Sequence, residues 1–440
     1  MRITPAPNPN ETIQDLYAID ENVIYRKVSL RLLPFLMLCY AVAYLDRANV
    51  GFAKLQMLSD LKFSETAFGF GAGIFFIGYF LLEVPSNIIL HKVGARVWIA
   101  RIMFTWGTIS ACTMLVSTPL QFYIVRFLLG IAEAGFFPGI ILYLTYWYPA
   151  HRRAQTIAIF MVAVPLSQVL GAPFSGFIMQ FLSGVGSWPG WKWMFLLEAL
   201  PALFMGLAAV LYLDSRIRSA KWLTEAEKEL LEQNIAHDLE DKQDHPSLRI
   251  LFADRRVWLM SWIYFACVMG MYGLTFWMPT LVKAAGIRNV LNVGLITAIP
   301  YTVATIAMVL LGRSADRKRE RRWHLAIPMI AGGGALAGSA LAGSHAVLAV
   351  FFLSIAAAGV ISSTTLFWSL PTAFLSGAAA AAGIAAVNSV GNLGGFVSPY
   401  MVGWLKDLTH SYAAGMYVLA LILIAGAATV LTVPARLVNR

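Results

Sequence analysis

YAVAYLDRANVGFA, residues 40–53, is an apolar segment with an aspartate and an arginine, Asp46 and Arg47, at its centre. It belongs to an apolar run that starts near Leu30 and is long enough to cross a bilayer as a helix. An ionised side chain at that depth is costly unless it is paired or hydrated, so charges inside a membrane are candidates for function. Adjacent residues of a helix point in different directions and cannot pair face to face. Asp46 and Arg47 therefore each need an opposite charge from another helix.

The composition extends this interpretation to the whole chain. Of the 440 residues, 59% are hydrophobic and 13% are charged, whereas a soluble domain carries about 25% charged residues. We expect an all-α membrane protein with twelve transmembrane helices in two pseudo-symmetric six-helix bundles. The predicted spans are 30–52, 67–90, 96–116, 120–147, 153–182, 191–213, 256–282, 291–312, 323–343, 346–371, 379–405 and 411–434.

The spans divide the chain into five predicted regions. Residues 30–213 form the first six-helix bundle and residues 256–434 the second, with tails at 1–29 and 435–440. The region between the bundles, 214–255, is the one long hydrophilic insert. It contains Thr224 three residues before Glu227, a capping-box pattern, so we expect a short surface helix inside a linker.

The basic residues of the loops predict the orientation, because cytoplasmic loops carry an excess of Lys and Arg. One set of loops is rich in them and includes both tails and the linker. The opposite set holds Lys54, Lys62, Lys192, Lys283, Arg288 and Lys406. We therefore expect both termini and the linker in the cytoplasm. Topology also accounts for the net charge of +10 without a nucleic-acid partner.

A related loop follows the second span of each half. In the second half it reads GRSADRKRERR from Gly312, with Asp316 and Arg317 in a G-x-x-x-D-R pattern. The first half has NIILHKVGAR, which contains Gly94 and Arg96, with His91 where the second half has its acid. A small residue, an acid and arginines at this place predict a cytoplasmic latch between the halves.

The fourth span carries two more charges, Arg126 and Glu133. Seven residues are almost two helical turns, so both lie on one face, about 10 Å apart along the axis. The first half therefore contains two acids and two bases at depth, and the second half has none at the centre of a span. The simplest arrangement pairs Asp46 with Arg126 and Arg47 with Glu133.

Four motifs carry a resemblance to a known family: YLDRANVGFA at 44–53, EVPSN at 83–87, GARVWIAR at 94–101 and RFLLGIAEAGFFPG at 126–139. With two six-span halves and the repeated loop, the chain resembles the major facilitator superfamily. Within it the chain looks like the anion:cation symporter family. That family includes bacterial carriers of tartrate, sugar acids and aromatic acids, with vesicular glutamate and sialic acid carriers as relatives. The resemblance implies Asp46 and Glu133 as proton-coupling acids and Arg47 as the substrate-binding arginine.

Polar and aromatic residues in the middle of the spans complete the predicted substrate site. They are Tyr44, Tyr79, Gln168, Tyr264, Tyr272, Trp368, Asn388 and Asn392. The family pattern strengthens this assignment for Gln168, Trp368 and Asn388. For two further acids, Glu83 and Glu198, we favour a structural role.

These observations predict a transporter and not an enzyme, since no Ser/His/Asp set, metal cluster or phosphate-binding loop appears in the sequence. We expect a proton-coupled symporter in the bacterial inner membrane, acting as a monomer without a cofactor, with the proton as coupling ion. A hydroxylated carboxylate such as tartrate or a sugar acid would be its substrate. An aromatic carboxylate, an exchanger or uniporter without proton coupling, and a sensor built on a transport fold stay open as alternatives.

Overall fold

The computed structural model describes residues 20–240, 254–374 and 379–438, and these residues contain helices and no strand. In chain order the helices are α1 Glu21–Leu61, α2 Glu65–Val93, α3 Ala95–Cys112, α4 Pro119–Glu133, α5 Phe136–Thr145, α6 Ala150–Met161, α7 Ala163–Phe181, α8 Gly190–Tyr212, α9 Glu225–Glu240, α10 Arg255–Ala284, α11 Val290–Lys318, α12 Arg322–Leu341, α13 Ala346–Phe367, α14 Ser369–Phe374, α15 Ala379–Asn392, α16 Gly394–Thr409, α17 Ala413–Thr432 and α18 Ala435–Val438. Short 3₁₀ turns lie at Thr113–Leu115, Val185–Ser187 and Ile217–Ser219.

Twelve membrane spans result from these helices. Ten helical segments in the described residues are long and apolar enough to cross a bilayer. The other two spans are α3, whose Arg96 and Arg101 lower its hydropathy, and the eleventh span, which is divided between α15 and α16. The predicted all-helical fold with two six-helix halves is confirmed.

Four predicted spans are each built from two helices. The fourth span breaks between α4 and α5, the fifth between α6 and α7, the tenth between α13 and α14, and the eleventh between α15 and α16. At the first of these breaks Gly135 has φ of +82°, and a Cβ there would lie 2.3 Å from Ser86 Oγ. A side chain at 135 would therefore be strained and would clash. The break ends α4 at Glu133 and so fixes the position of this acid.

The first helix is longer than predicted. It begins after Asp20, whose side chain caps the N–H of Asn22, and it ends at Lys62 in the left-handed region. It therefore extends nine residues before and nine residues after the predicted span of 30–52. Lys54, which we placed in a loop, is a buried residue of α1 with 3% exposure. The prediction was wrong because it ended the first span before Lys54, the first lysine after the apolar run.

The two halves pack together mainly through three helix pairs, α1 with α10, α2 with α16, and α7 with α11, and α2 also contacts α15. We call the end of the bundle where α1 begins and α9 lies the linker face, and the opposite end the far face. Near the far face the backbones approach closely at glycines. A Cβ on Gly294 would lie 2.4 Å from Ala172 O, and one on Gly69 2.3 Å from Pro399 O.

Lys54 lies at the centre of a polar network on the far face. Its Nζ is 2.7 Å from a carboxylate oxygen of Glu65 and 3.3 Å from Thr280 Oγ1. The ammonium also stands 3.7 Å from the centre of the Trp277 ring. The Tyr412 hydroxyl donates to Glu65 Oε1 at 2.6 Å. The network therefore joins α1 and α2 of the first half to α10 and the start of α17 in the second.

The predicted latch residues do not join the halves in this conformation. Arg96 Nε donates to Val210 O of α8, and a Cβ on Gly94 would meet Ser215, so both contacts stay inside the first half. In the second half a Cβ on Gly312 would meet nothing within 4 Å. Asp316 and Arg317 are exposed, and neither forms an ion pair with another described residue. The close helix contact that we expected at Gly312 is therefore absent.

The linker helix α9 packs on the beginning of α1. Thr224 Oγ1 accepts the N–H of Glu227, and Glu227 Oε2 accepts the N–H of Thr224, which is the predicted capping box. Lys27 Nζ of α1 lies 2.8 Å from Glu227 Oε2, and Asn234 Nδ2 donates to Tyr25 OH at 3.3 Å. The linker helix is therefore attached to the first bundle.

Candidate functional site

A cavity of about 720 Å³, including space open to solvent, lies between the two halves. Its walls are largely aromatic, and Arg47 is the cationic side chain among the lining residues. Eight predicted site residues line it: Tyr44, Arg47, Tyr79, Tyr264, Tyr272, Trp368, Asn388 and Asn392. Other lining residues include Tyr40, Phe76, Phe137, Met161, Met271, Met308, Thr364 and Thr365.

Arg47 forms the ion pair predicted with Glu133. Its Nη2 lies 2.5 Å from Glu133 Oε1, and its Nη1 donates to Tyr272 OH of the second half at 3.2 Å. Glu133 is fully buried and Arg47 is 6% exposed. Glu133 Oε2 and Arg47 Nε have no hydrogen-bond partner among the described residues. The pair is therefore monodentate, and it leaves Oε2 of the acid and the Nε–H of the base without a described partner.

Aromatic rings surround the Arg47 guanidinium. Its central carbon lies 5.1 Å from the Tyr44 ring centre and 5.3 Å from the ring centres of Phe75 and Tyr79. Cations are attracted to ring faces at such distances. The rings therefore hold the charged guanidinium in place without neutralising it.

Asp46 points away from Arg47 into the first half. Its Oδ1 accepts from Ser110 Oγ at 2.9 Å and from Asn49 Nδ2 at 3.2 Å, and its Oδ2 accepts from Trp106 Nε1. Asp46 is 1% exposed. Three neutral donors, two of them from α3, therefore hold this carboxylate.

Arg126 does not form the ion pair predicted with Asp46. No carboxylate oxygen of a described residue lies within ion-pair distance of it. Its Nη2 donates weakly to Ala72 O at 3.4 Å, and its guanidinium carbon lies 5.1 Å from the Phe75 ring centre. Its Nε and Nη1 lack partners among the described residues. The pairing prediction was wrong because hydrogen bonds from neutral side chains satisfy Asp46.

Of the two remaining residues, one differs from its predicted position. Gln168, predicted to bind substrate, does not line the cavity; its Nε2 donates to the carbonyl of Tyr44 at 3.3 Å. Gln168 therefore supports the backbone of α1 beside Arg47. Glu83, for which we favoured a structural role, accepts a hydrogen bond from Asn388 Nδ2 across the halves at 2.8 Å.

The sequence did not identify Trp106 and Ser110 as hydrogen-bond donors to Asp46. Both are neutral, so they carry no charge signal, although a tryptophan in the middle of a span is a weak indication. The resulting site has a buried acid held by three neutral donors, and an acid–base pair at the cavity wall. It can exchange protons on its acids and bind an anion at Arg47.

Comparisons with known proteins agree with this architecture. A family model described as the Major Facilitator Superfamily matches residues 36–399. A "Putative metabolite transport protein NicT" of Pseudomonas putida is 48% identical, over 95% of this chain and 96% of its own. A "Putative tartrate transporter" of Agrobacterium vitis is 50% identical, over 92% of this chain and 94% of its own. A "Quinolone resistance transporter" of Acinetobacter baumannii is 40% identical, over 92% and 94%.

Solved structures share the fold at low sequence identity. A bacterial homolog of the human lysosomal transporter Spinster, in an inward-facing and unoccupied conformation, has a TM-score of 0.74 at 19% identity, covering 94% of this chain and 98% of its own. The xylose transporter XylE of E. coli, in a partially occluded inward-open conformation, has a TM-score of 0.72 at 16% identity, covering 92% and 98%.

Proposed function

The chain belongs to the major facilitator superfamily, and from that premise we propose that it is a proton-coupled symporter that imports a small organic anion by alternating access. It is a multi-pass membrane transporter and not an enzyme. The substrate class that we propose is a hydroxylated carboxylate such as tartrate or a sugar acid.

The observation that carries this proposal is the Arg47–Glu133 pair at the cavity wall. While Glu133 is ionised it occupies one edge of the guanidinium. A proton taken up by Glu133 removes that negative charge, so that Arg47 can bind a substrate carboxylate through two parallel hydrogen bonds. Binding of the anion and uptake of the proton then favour each other. Asp46, held by neutral donors on the other side of α1, is the second proposed proton site.

The cavity walls and the relatives support the substrate class. Asn388, Asn392 and Thr364 offer hydrogen bonds to hydroxyl groups, and two relatives that are about half identical are described as tartrate transporters. The ring-rich lining favours a second candidate, an aromatic carboxylate, because Tyr, Phe and Trp side chains would stack on its ring.

The fold also supports a location and a conformation. We propose that the chain resides as a monomer in a bacterial inner membrane, with both termini and the linker face in the cytoplasm. The far face, where the Lys54 network joins the halves, is then the outer surface. This conformation would be inward-facing. The proton is the proposed coupling ion, and no bound cofactor is invoked.

Uptake into proteoliposomes tests the proposal. With an inward proton gradient, tartrate, galactonate and benzoate are offered separately, and at least one should accumulate above its external concentration. Equal uptake with and without the gradient would contradict proton coupling, and uptake of none of the three would contradict the substrate classes.

Variants at Arg47 test the anion site. Arg47→Ala and Arg47→Lys should both abolish substrate binding, because lysine keeps the charge but lacks the planar fork. Arg288→Lys, at an exposed arginine in a loop, is the matched control and should bind as wild type does. Binding by Arg47→Lys at wild-type affinity would contradict the bidentate contact.

A further inference from the structure

A further buried acid of the first half, Glu198 of α8, has no role in the mechanism above. It is fully buried, and Ser175 Oγ of α7 donates to its Oε1 at 2.6 Å. Its Oε2 has no hydrogen-bond partner among the described residues, and no described Lys, Arg or His lies within ion-pair distance. An uncompensated carboxylate at this depth would be strongly destabilising. Glu198 therefore needs either a cation or a proton.

The Asn49 side chain of α1 donates a hydrogen bond to the other buried acid, Asp46. Its Nδ2 lies 3.2 Å from Asp46 Oδ1. Ser110 Oγ and Trp106 Nε1 donate to the same carboxylate. Asp46 therefore has three described donors that stabilise its ionised form, whereas Glu198 has one, Ser175.

The number of donors differs between the two acids. A carboxylate that accepts several hydrogen bonds is stabilised in its ionised form, whereas burial without a cation favours the protonated form. Asp46 accepts from three described donors and Glu198 from one. The proton therefore belongs on Glu198.

We propose that Glu198 is a further proton-binding residue of this transporter, which carries a proton in this conformation while Asp46 is ionised. The proton sits on Oε2, which accepts no hydrogen bond from a described residue. Glu198 Oε1 is then the carbonyl oxygen, and it accepts from Ser175 Oγ.

The charged surroundings of Glu198 are limited to Asp46. Helix α1 contributes Asp46 and Asn49, and α7, which holds Ser175, has no charged residue. Helix α3 contributes Trp106 and Ser110, which both donate to Asp46. Its nearest arginine, Arg101, is nine residues before Ser110, about 13 Å along the helix. In α8 itself Lys192 stands near the far face, six residues from Glu198. No described cation therefore lies close enough to Glu198 to compensate the charge of its ionised form.

The proton on Glu198 does not depend on symport, but its effect on transport rests on the proposed function. Loss of this proton at alkaline pH would place a second negative charge near Asp46. Proton release from Asp46 would then become unfavourable, and turnover would fall.

Infrared spectroscopy of the purified full chain tests the protonation. A protonated carboxyl has a C=O stretch that is distinct from the bands of a carboxylate. Glu198→Gln should lose one such C=O band at neutral pH. Glu65→Gln is the matched control, since the Glu65 carboxylate is paired with Lys54, and it should lose a carboxylate band instead.

Two further measurements keep the proposal falsifiable. Ser175→Ala, with Glu198 intact, should shift the same C=O band because the carbonyl oxygen Oε1 loses its hydrogen-bond donor. In substrate counterflow, Glu198→Gln should stay active to higher pH than wild type. Unchanged C=O bands in both variants would overturn the protonation. A lost C=O band with an unchanged pH profile would overturn the role in transport, and absent proton-driven accumulation in wild type would overturn symport alone.

Discussion

At the scale of single residues, the two acids of the first half are held in different ways. Glu133 has a cationic partner at 2.5 Å and one free oxygen. Asp46 has three neutral donors and no described cation within ion-pair distance. A proton on Glu133 therefore changes the charge at the anion site directly. A proton on Asp46 instead disturbs its contacts with Trp106 and Ser110, which attach α1 to α3.

These roles predict the effects of one substitution at each acid. Glu133→Gln imitates the protonated acid, so it should bind substrate and exchange it in counterflow, with less pH dependence. It should fail to accumulate substrate against a gradient, because no proton can leave. Asp46→Asn should lose accumulation as well. Counterflow and proton-driven uptake are measured in the same liposomes.

Glu229→Gln, at an exposed glutamate of α9, is the control for expression and reconstitution and should behave as wild type. Normal proton-driven accumulation by Glu133→Gln would exclude this acid from coupling. Misfolding or loss of binding in both variants would indicate a purely structural network, since removing one partner of a buried pair costs about 3–5 kcal/mol.

At the scale of helices, the sequence predicts the elements better than their ends. Charges in apolar runs identify Asp46, Arg47 and Glu133 because such residues are rare in membranes. The same rule placed Lys54 in a loop, which was wrong. A predicted span that ends before the first lysine does not allow for a lysine that is buried between the two halves. The contacts of Asp46 with Trp106 and Ser110 could not be predicted, because neutral side chains at several places in the first half are equally able to donate.

The linker helix gives a test of topology. Gln233 lies on an exposed face of α9. A cysteine at Gln233, in a background without Cys39, Cys112 and Cys267, should react with an impermeant thiol reagent only from the cytoplasmic side. A cysteine at Lys62, on the opposite face of the bundle, is the matched control and should react from outside. Labelling of the position 233 variant in intact cells would contradict the orientation.

The attachment of α9 to α1 should depend on the ionised form of Glu227. Partial burial raises the pKa of this carboxyl, but hydrogen bonds from Lys27 and the backbone of Thr224 outweigh it and leave the pKa below its ordinary value. The stabilisation is therefore present above the ordinary pKa and is lost as pH falls through the lowered one. Amide hydrogen exchange of α9, corrected for intrinsic rates, should be constant between about pH 6 and pH 8.

Glu227→Gln removes the ion pair and weakens the cap. Loss of a helix cap costs about 1 kcal/mol, so exchange of α9 should become about fivefold faster. Glu229→Gln is again the control. If exchange is unchanged in Glu227→Gln, apolar contacts such as those of the buried Leu231 side chain are sufficient to hold α9 in place.

At the scale of the whole molecule, the contacts between the halves are unequal at the two faces. On the far face Lys54, Glu65 and Tyr412 form a buried network, and Asp407 of α16 accepts from the backbone N–H of Thr66 at 2.8 Å. Toward the linker face the Glu83–Asn388 hydrogen bond crosses the halves. A transporter that alternates must break the far-face network to open on that side.

Weakening this network should shift the conformational equilibrium toward opening at the far face. Lys54→Met keeps the length of the side chain but removes its charge, so Glu65 loses its cation. Spin labels at Ser59 and Ser411, exposed positions on opposite halves of the far face, should then report a longer mean distance. Lys62→Met, at an exposed lysine on the same face, is the control and should leave the distance unchanged.

A second variant separates opening from misfolding. Asp407→Asn leaves Lys54 paired but weakens the hydrogen bonds to the start of α2, so it should lengthen the same distance by a smaller amount. Both variants should also bind substrate less readily from the linker face, since the two faces open alternately. An unchanged distance in both, in protein that still binds substrate, would show that the glycine contacts at Gly69 and Gly294 close the far face without the charges.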